Sequence, residues 1–217
     1  MIPVKICGIT TARDAHLAVQ AGVSAIGLIF YPPSPRYVDM LRASEIVKSV
    51  PDNVAKVGVF VNEKAEAIHA IADAVGLDFV QLHGDEDSDF CSAMRRPVIK
   101  AIRLGKRSPG GNMEGYEVHA FLLDTYRSGS PGGTGIAFDW DLVRDLRLGK
   151  PLILAGGLAH GNVLEAIRVV KPAAVDVNSG VEISPGQKDP GKIKALFNRL
   201  NTTGEYENIF TPRREEK

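Results

Sequence analysis

The sequence has few cysteines, few aromatic residues and no excess charge of either sign. Its 217 residues include two cysteines and one tryptophan, and Lys plus Arg and Asp plus Glu both number 26. Two cysteines as far apart as Cys7 and Cys91 do not suggest a disulfide framework or a zinc site. Balanced charge gives no overall field that would favour nucleic acid or an anionic membrane surface. Any anion must therefore be bound by a local site.

Long apolar runs are also missing. No run is long enough for a signal peptide or a membrane span, so we expect a protein of the reducing cytoplasm that is not exported. No Gly-x-Gly-x-x-Gly follows the first predicted strand and no Walker-type loop occurs, which disfavours dinucleotide and nucleoside-triphosphate binding. Hydrophobic residues make up 44% of the chain, enough for one sizeable core but short for two domains.

Short apolar runs alternate with amphipathic stretches. The runs predict eight strands, at Val4–Cys7, Ala25–Phe30, Lys56–Val61, Phe79–His83, Val98–Ile102, Phe121–Asp124, Leu152–Ala155 and Ala174–Asn178. Helical spacing follows most of them, at Thr11–Ala21, Ala43–Ser49, Glu63–Val75, Asp87–Arg95, Asp139–Asp145, Gly161–Val170 and Pro190–Leu200. Arg107–Val118 contains three glycines and a proline, so a fifth helix there should be short or irregular.

This alternation predicts an α/β fold with one domain, a (β/α)8 TIM barrel over residues 1–200. Strands begin roughly every 24 residues, a period that suits such a barrel without large insertions. An open doubly wound sheet is the alternative. Residues 201–217 are polar, and we expect them to form a loosely attached C-terminal tail without chemistry.

Polar residues gather at the predicted strand ends. Lys5 and Cys7 lie two apart and share one strand face, and Cys7 ends its strand. By the same period His83, Asp124 and Asn178 should point inward at the ends of three other strands. Functional groups of parallel α/β folds collect at this end, so these residues predict a site at the barrel mouth. For Cys7 alone, a small buried structural cysteine is the other interpretation.

Glycine-containing turns suggest a phosphate site. Ala155-Gly156-Gly157 ends the seventh strand and Asn178-Ser179-Gly180 ends the eighth, where glycine lets backbone N–H groups approach an anion. Barrels often bind phosphate between these loops with help from a short extra helix, which Ser179–Glu182 could form. Tight turns without a ligand are the alternative. A longer segment, Gly129–Gly135, should be a lid or binding loop.

Arg36 follows a proline-rich segment after the second strand. It could clamp a carboxylate or be a solvated surface charge.

Eight segments together resemble the phosphoribosylanthranilate isomerase family of tryptophan biosynthesis. They are Lys5–Thr10, Ser34–Val38, Gly58–Asn62, Gln81–Gly84, Leu122–Asp124, Gly132–Gly135, Leu154–Leu158 and Asp176–Glu182. The resemblance runs from about Val4 to Leu200 and is specific because the segments occur in order at the ends of successive strands. Leu28, where an aromatic residue is expected, and Asn178, where small or acidic residues are also usual, depart slightly from the family pattern.

The resemblance implies an Amadori rearrangement of N-(5'-phosphoribosyl)anthranilate to 1-(2-carboxyphenylamino)-1-deoxyribulose 5'-phosphate, without cofactor or metal. It implies Asp124 as general acid and Cys7 as general base. It also implies that Arg36 holds the anthranilate carboxylate and that Gly157, Ser179 and Gly180 bind the phosphate. The other substrate-binding residues that it implies are His83, Gly133, Gly156 and Asn178. The role of His83 stays open.

Lys5 could favour the Cys7 thiolate or only pair with Asp176 inside the barrel. The expected partner is the small-molecule substrate, with no nucleic acid or membrane, in a monomer or homodimer. Two other functions fit the same architecture. One is another sugar-phosphate barrel enzyme, such as indole-glycerol-phosphate synthase or an epimerase, and the other is a phosphate-binding protein without catalysis.

Overall fold

The computed structural model describes residues 1–103, 115–124 and 149–211. Eight parallel strands close into a barrel in chain order, with β8 hydrogen-bonded to β1. The strands are β1 Val4–Ile6, β2 Ala25–Ile29, β3 Ala55–Phe60, β4 Phe79–Leu82, β5 Val98–Arg103, β6 Ala120–Asp124, β7 Leu152–Ala155 and β8 Ala174–Val177. The predicted TIM barrel is therefore confirmed, and the open sheet is excluded because β1 and β8 pair.

Helices pack outside the strands. They are α1 Ala12–Ala21, α2 Met40–Lys48, α3 Ala65–Val75, α4 Ser88–Ser92, α5 Val163–Val170 and α6 Pro190–Leu200. Side chains of Thr11 and Asp39 accept backbone N–H groups at the starts of α1 and α2, as expected of N-caps. The helix predicted at Asp139–Asp145 lies outside the described residues, as does most of the segment predicted to be irregular, Arg107–Val118.

Alternation along the strands divides the core into two parts. Outward-facing residues such as Val4, Leu82 and Val177 join the helices in one large apolar cluster. Inward-facing residues such as Leu122 and Ile153 form a second cluster inside the barrel. The period of two in the sequence thus predicted correctly which strand side chains point into the barrel and which point toward the helices. Among the helices in the described part of the chain, none combines the length and hydropathy that a bilayer crossing would require.

The amino-terminal end of the barrel is closed by the C-terminal segment. Phe210 is 1% exposed and belongs to the inner cluster. Its ring meets that of Phe79 edge-on, with centroids 6.5 Å apart. Nε2 of His119 donates a hydrogen bond of 2.7 Å to the carbonyl oxygen of Ile209. Four strands begin with alanines that belong to the same cluster, namely Ala25, Ala55, Ala120 and Ala174. These small side chains leave the space that Phe210 fills.

The expectation of a loosely attached tail is therefore wrong at Ile209 and Phe210. Residues 204–208 are exposed, as their polarity predicts, but Phe210 buries its ring in the barrel floor. One aromatic residue gains enough from burial to hold a short polar segment in place. Residues 212–217 lie outside the described part of the chain.

Candidate active site

Cys7 lies at the carboxyl end of β1 on the face it shares with Lys5. Nζ of Lys5 is fully buried and lies 2.9 Å from a carboxylate oxygen of Asp176 on β8. Gly27 on the neighbouring strand leaves room for both side chains, because a Cβ there would come within 2.7 Å of Sγ of Cys7 and 3.1 Å of Nζ of Lys5. The predicted pairing of Lys5 with Asp176 is confirmed, and the ammonium group also reaches the thiol.

The surroundings of Cys7 act on its thiol in opposite directions. Burial has the largest effect and raises the pKa of Cys7, and the carboxylate of Asp176 adds to it. The ammonium groups of Lys5 and Lys188 lower the pKa of the same thiol, without cancelling the effect of burial. The pKa of Cys7 therefore stays above its ordinary value. Two cations favour the thiolate while the apolar interior opposes it.

Asp124 and His83 face each other across the mouth. Nε2 of His83 lies 3.3 Å from Oδ2 of Asp124. The amide nitrogen of Gln81 lies 3.0 Å from Nδ1 of His83. Because an amide nitrogen only donates, Nδ1 accepts, and the proton of the neutral ring is left on Nε2. His83 thus turns its Nε2–H group toward the carboxylate of Asp124, 3.3 Å away.

Arg36 lies at the barrel mouth in an ion pair with Glu182 and is not a solvated surface charge. Its side chain is 18% exposed, and the segment before α2 is held by a bridge between Ile29 and Tyr37. The guanidinium pairs with Glu182, with Nη2 at 2.7 Å from Oε2 and Nε at 2.9 Å from Oε1. Its stem crosses Gly8, where a Cβ would lie 2.6 Å from Cδ of Arg36. Arg36 therefore lies beside the end of β1.

A hairpin after β8 contributes two residues that the sequence interpretation did not assign to the site. Its strands are β9 Glu182–Ser184 and β10 Gln187–Lys188. The buried ammonium of Lys188 bonds Oε1 of Glu182 at 2.9 Å and the carbonyl oxygen of Cys7 at 2.6 Å. It also lies 3.1 Å from the side-chain oxygen of Asn178. Charged residues in a polar loop usually lie exposed, and no local pattern separates these two from such residues.

The two glycine turns after β7 and β8 touch one another. Gly156 and Gly157 have φ of 89° and 65°, values that favour glycine. A Cβ at Gly180 would overlap the carbonyl oxygen of Leu158, so glycine is required for this approach. Ser179–Val181 forms a 3-10 helix, which confirms the short helix predicted there. The two turns are thus adjacent, as a shared phosphate site requires.

Three residues of these turns, Gly157, Ser179 and Gly180, present backbone N–H groups at the barrel mouth. In the described residues, no backbone hydrogen bond starts from the N–H of Gly157, Ser179 or Gly180. Such N–H groups suit an anion. Gly133, the remaining predicted binding residue, lies outside the described ranges.

A further buried ion pair shapes the loops beside His83. Nζ of Lys100 on β5 lies 2.6 Å from Oε2 of Glu86. The same carboxylate accepts the N–H groups of Asn62 at 2.8 Å and Gly84 at 2.9 Å. These bonds tie the loops after β3 and β4 together. Among residues 1–103, 115–124 and 149–211, no three His, Cys, Asp or Glu side chains cluster so as to hold a metal ion.

The fold and the mouth define a (β/α)8-barrel protein with ionisable groups and a pair of adjacent glycine turns at the carboxyl ends of its strands. Residues 4–199 match the family model described as N-(5'phosphoribosyl)anthranilate (PRA) isomerase. The N-(5'-phosphoribosyl)anthranilate isomerase of Geotalea uraniireducens is 48% identical over 199 residues, which cover 92% of this chain and 98% of the relative.

Solved structures agree. Phosphoribosyl anthranilate isomerase from Thermotoga maritima superposes with a TM-score of 0.87 at 42% identity, covering 94% of this chain and 100% of that one. A second isomerase structure, at 40% identity and a TM-score of 0.82 over 94% of this chain and 100% of that one, is a complex with reduced 1-(o-carboxyphenylamino)-1-deoxyribulose 5-phosphate. The chain belongs to the N-(5'-phosphoribosyl)anthranilate isomerase family, as its motifs predict.

Proposed function

We propose that this chain catalyses the Amadori rearrangement of N-(5'-phosphoribosyl)anthranilate in tryptophan biosynthesis, with Cys7 as general base and Asp124 as general acid. The observation that carries the proposal is the convergence of thiol, carboxyl, arginine and glycine turns on one barrel mouth. Cys7 follows β1 and Asp124 ends β6, so a sugar held over the mouth lies between them. The proposal includes a cytoplasmic location, which suits two free thiols.

Two proton transfers describe the reaction. The carboxyl group of Asp124 protonates the ribose ring oxygen, the bond from that oxygen to C1' breaks, and the anthranilate nitrogen forms an imine with C1'. The imine nitrogen keeps its hydrogen and is positively charged. The thiolate of Cys7 then removes the proton from C2', the electron pair of that bond forms the C1'–C2' double bond, and the imine electrons return to nitrogen to give a neutral enolamine. The enolamine tautomerises to the ketose. His83 lies beside Asp124, with Nε2 at 3.3 Å from Oδ2, and so helps to place its carboxyl group toward the sugar.

Binding divides between the two sides of the mouth. Arg36 receives the anthranilate carboxylate beside Cys7, and the turns at Gly157 and Ser179-Gly180 receive the phosphate. The ribose then spans the distance between these two anchors, above the strand ends. Incubation of the purified protein with N-(5'-phosphoribosyl)anthranilate tests the function directly, through the loss of substrate fluorescence. Absence of turnover would favour another sugar-phosphate enzyme or a phosphate-binding protein.

Arg36→Lys should raise KM roughly tenfold, since hydrogen bonds to charged groups contribute about 1.5–3 kcal/mol and lysine lacks the planar fork. Because lysine keeps the positive charge, a change in KM would reflect loss of the two-pronged geometry of the guanidinium group. Steady-state kinetics measure it, with Arg42→Lys on the exposed side of α2 as the control. An unchanged KM would exclude Arg36 from carboxylate binding.

Inorganic phosphate should inhibit competitively, and Gly157→Val should raise KM strongly because a side chain would occupy the approach of the phosphate. Gly149 has a similar φ of 63°, also has open space at its Cβ, and lies before β7 at the opposite end of the barrel. Gly149→Val therefore carries the same backbone strain and should leave KM unchanged. Equal KM values in the two variants would show that the phosphate does not bind at Gly157.

A further inference from the structure

The hairpin β9–β10 places two opposite charges inside the protein. Glu182 and Lys188 are partners across the hairpin and are 6% and 2% exposed. Buried charges are costly unless they are paired and fully hydrogen-bonded. Both partners meet this condition only by reaching residues of the barrel mouth, Arg36 and Cys7. The hairpin is therefore coupled to the site by its charges.

Glu182 occupies one edge of the Arg36 guanidinium. Nε and Nη2 both bond its carboxylate, the two shortest contacts being 2.9 Å and 2.7 Å. A guanidinium group has a second edge, formed by Nη1 and Nη2, that can bind another carboxylate in the same two-pronged way. Glu182 thus fixes the plane of the guanidinium group and leaves its second edge available to another carboxylate.

Lys188 satisfies its three N–H donors with three acceptors from different elements. They are Oε1 of Glu182, the carbonyl oxygen of Cys7 and the side-chain oxygen of Asn178. The contact with the carbonyl oxygen, at 2.6 Å, holds the backbone at the end of β1. Burial lowers the pKa of Lys188, and the carboxylate of Glu182 opposes that effect.

We propose that Glu182 and Lys188 are positioning residues for the isomerase reaction, Glu182 orienting Arg36 toward the anthranilate carboxylate and Lys188 fixing the backbone that carries Cys7 and thereby holding a positive charge beside its thiol. This inference rests on the proposed function. Arg36, Lys188 and Glu182 together carry one formal positive charge, which one substrate carboxylate neutralises. A hairpin with a purely structural role would not require this charge balance, because apolar residues could fill the same space without the free-energy cost of burying charged groups.

Glu182→Gln tests the first half because it keeps the shape and removes the charge. KM should rise roughly tenfold with little change in kcat, since Arg36 loses its charged partner. In the double variant with Arg36→Lys, KM should be no higher than in Arg36→Lys alone, because Glu182 acts through Arg36. Ser184→Ala, at an exposed position of the same hairpin, is the matched control. This role would be overturned if the rise in KM of the double variant equalled the product of the rises in the two single variants. An unchanged KM in Glu182→Gln would also overturn it.

Lys188→Met tests the second half by a measurement that needs no isomerase activity. The rate of Cys7 alkylation by iodoacetamide is followed against pH by mass spectrometry, with Cys91 in the same digest as internal reference. The charged groups that act on Cys7 are Lys5 and Asp176 from the barrel, Arg36, and Lys188. Loss of one ammonium should move the alkylation profile of Cys7 to higher pH, and Lys188→Arg should restore it. A profile that does not move would overturn the role of Lys188.

Folding and function are kept separate in these tests. If Lys188→Met does not fold, Lys188→Gln serves as the neutral variant and Lys188→Arg as the variant that keeps the charge: a Cys7 alkylation profile at higher pH in Lys188→Gln than in Lys188→Arg supports the role of Lys188, and coincident profiles overturn it. Turnover by the unchanged protein is measured first. Its absence would refute the proposed function, whereas the alkylation profiles would still decide whether Lys188 acts on Cys7.

Discussion

Cys7→Ser and Asp124→Asn should each lower kcat roughly a hundredfold or more while KM changes little, because both groups act mainly in the transition state. Serine keeps the shape of Cys7 but is a far weaker acid whose conjugate base is not formed. Asparagine keeps the size of Asp124 and an oxygen that faces His83 but cannot supply a proton. Steady-state kinetics with N-(5'-phosphoribosyl)anthranilate measure both effects.

The pH dependence adds a signature of the thiol. Because burial raises the pKa of Cys7 despite the two lysines, kcat/KM should still rise with pH above neutrality as the thiolate forms. This rise should disappear in Cys7→Ser.

Cys91 provides the matched control. It is also buried, and burial raises the pKa of its thiol to about 11. It lies on α4, in the apolar cluster between helices and barrel. Cys91→Ala should leave kcat and its pH dependence unchanged. If Cys7→Ser kept most of its kcat, the thiol would be structural. His83 would then be the next candidate for the base, although its Nε2–H group faces Asp124 in this structure.

The positions of Cys7 and Asp124 were predictable because they depend on local rules. A period of two decides which strand residues face inward, and parallel strands place their carboxyl ends at one mouth. The same rules predicted that Gln81 and His83 share a face and that the two glycine turns are neighbours. In a closed barrel each strand has defined neighbours, so local errors of one or two residues at strand ends do not change the site.

The partners of Arg36 and Cys7 were not predictable in this way. Glu182 and Lys188 lie 146 and 181 residues away from the groups they bond. No periodicity marks such pairs, and the charge of a loop residue by itself suggests exposure. What could have indicated them is position: Glu182 ends the family segment after β8, and Lys188 lies six residues further along the chain. The contacts of Glu182 with Arg36 and of Lys188 with Cys7 become visible only in the folded structure, where β8 lies next to β1.

Phe210 is the other residue that the sequence did not reveal. A single aromatic residue in a polar segment has no pattern, and the alanines at four strand starts look like ordinary small residues. Only the folded barrel shows that these alanines lie together at its amino-terminal end and leave the space that the Phe210 ring fills. Packing of this kind is decided by volume, which no property of the local sequence encodes.

Phe210→Ala should therefore lower the free energy of unfolding by about 3–5 kcal/mol, the usual cost of removing a buried phenylalanine ring. The ring is 1% exposed, lies against Phe79 and closes a cavity bordered by small side chains, so little can move in to replace it. Urea unfolding followed by circular dichroism measures the loss. Because Phe210 lies at the amino-terminal end of the strands and the proposed catalytic groups lie at the other end, kcat at low temperature should change little.

Tyr206→Ala is the control, since Tyr206 lies in the same segment but is 38% exposed. It should change the free energy of unfolding by less than about 0.5 kcal/mol, as surface substitutions usually do. Phe210→Leu should recover part of the stability, because leucine fills part of the cavity. A chain ended after Leu200 should lose at least as much stability as Phe210→Ala, since it lacks both the ring and the bond from His119 to Ile209. Equal stability of Phe210→Ala and the unchanged protein would show that the tail does not close the barrel in solution.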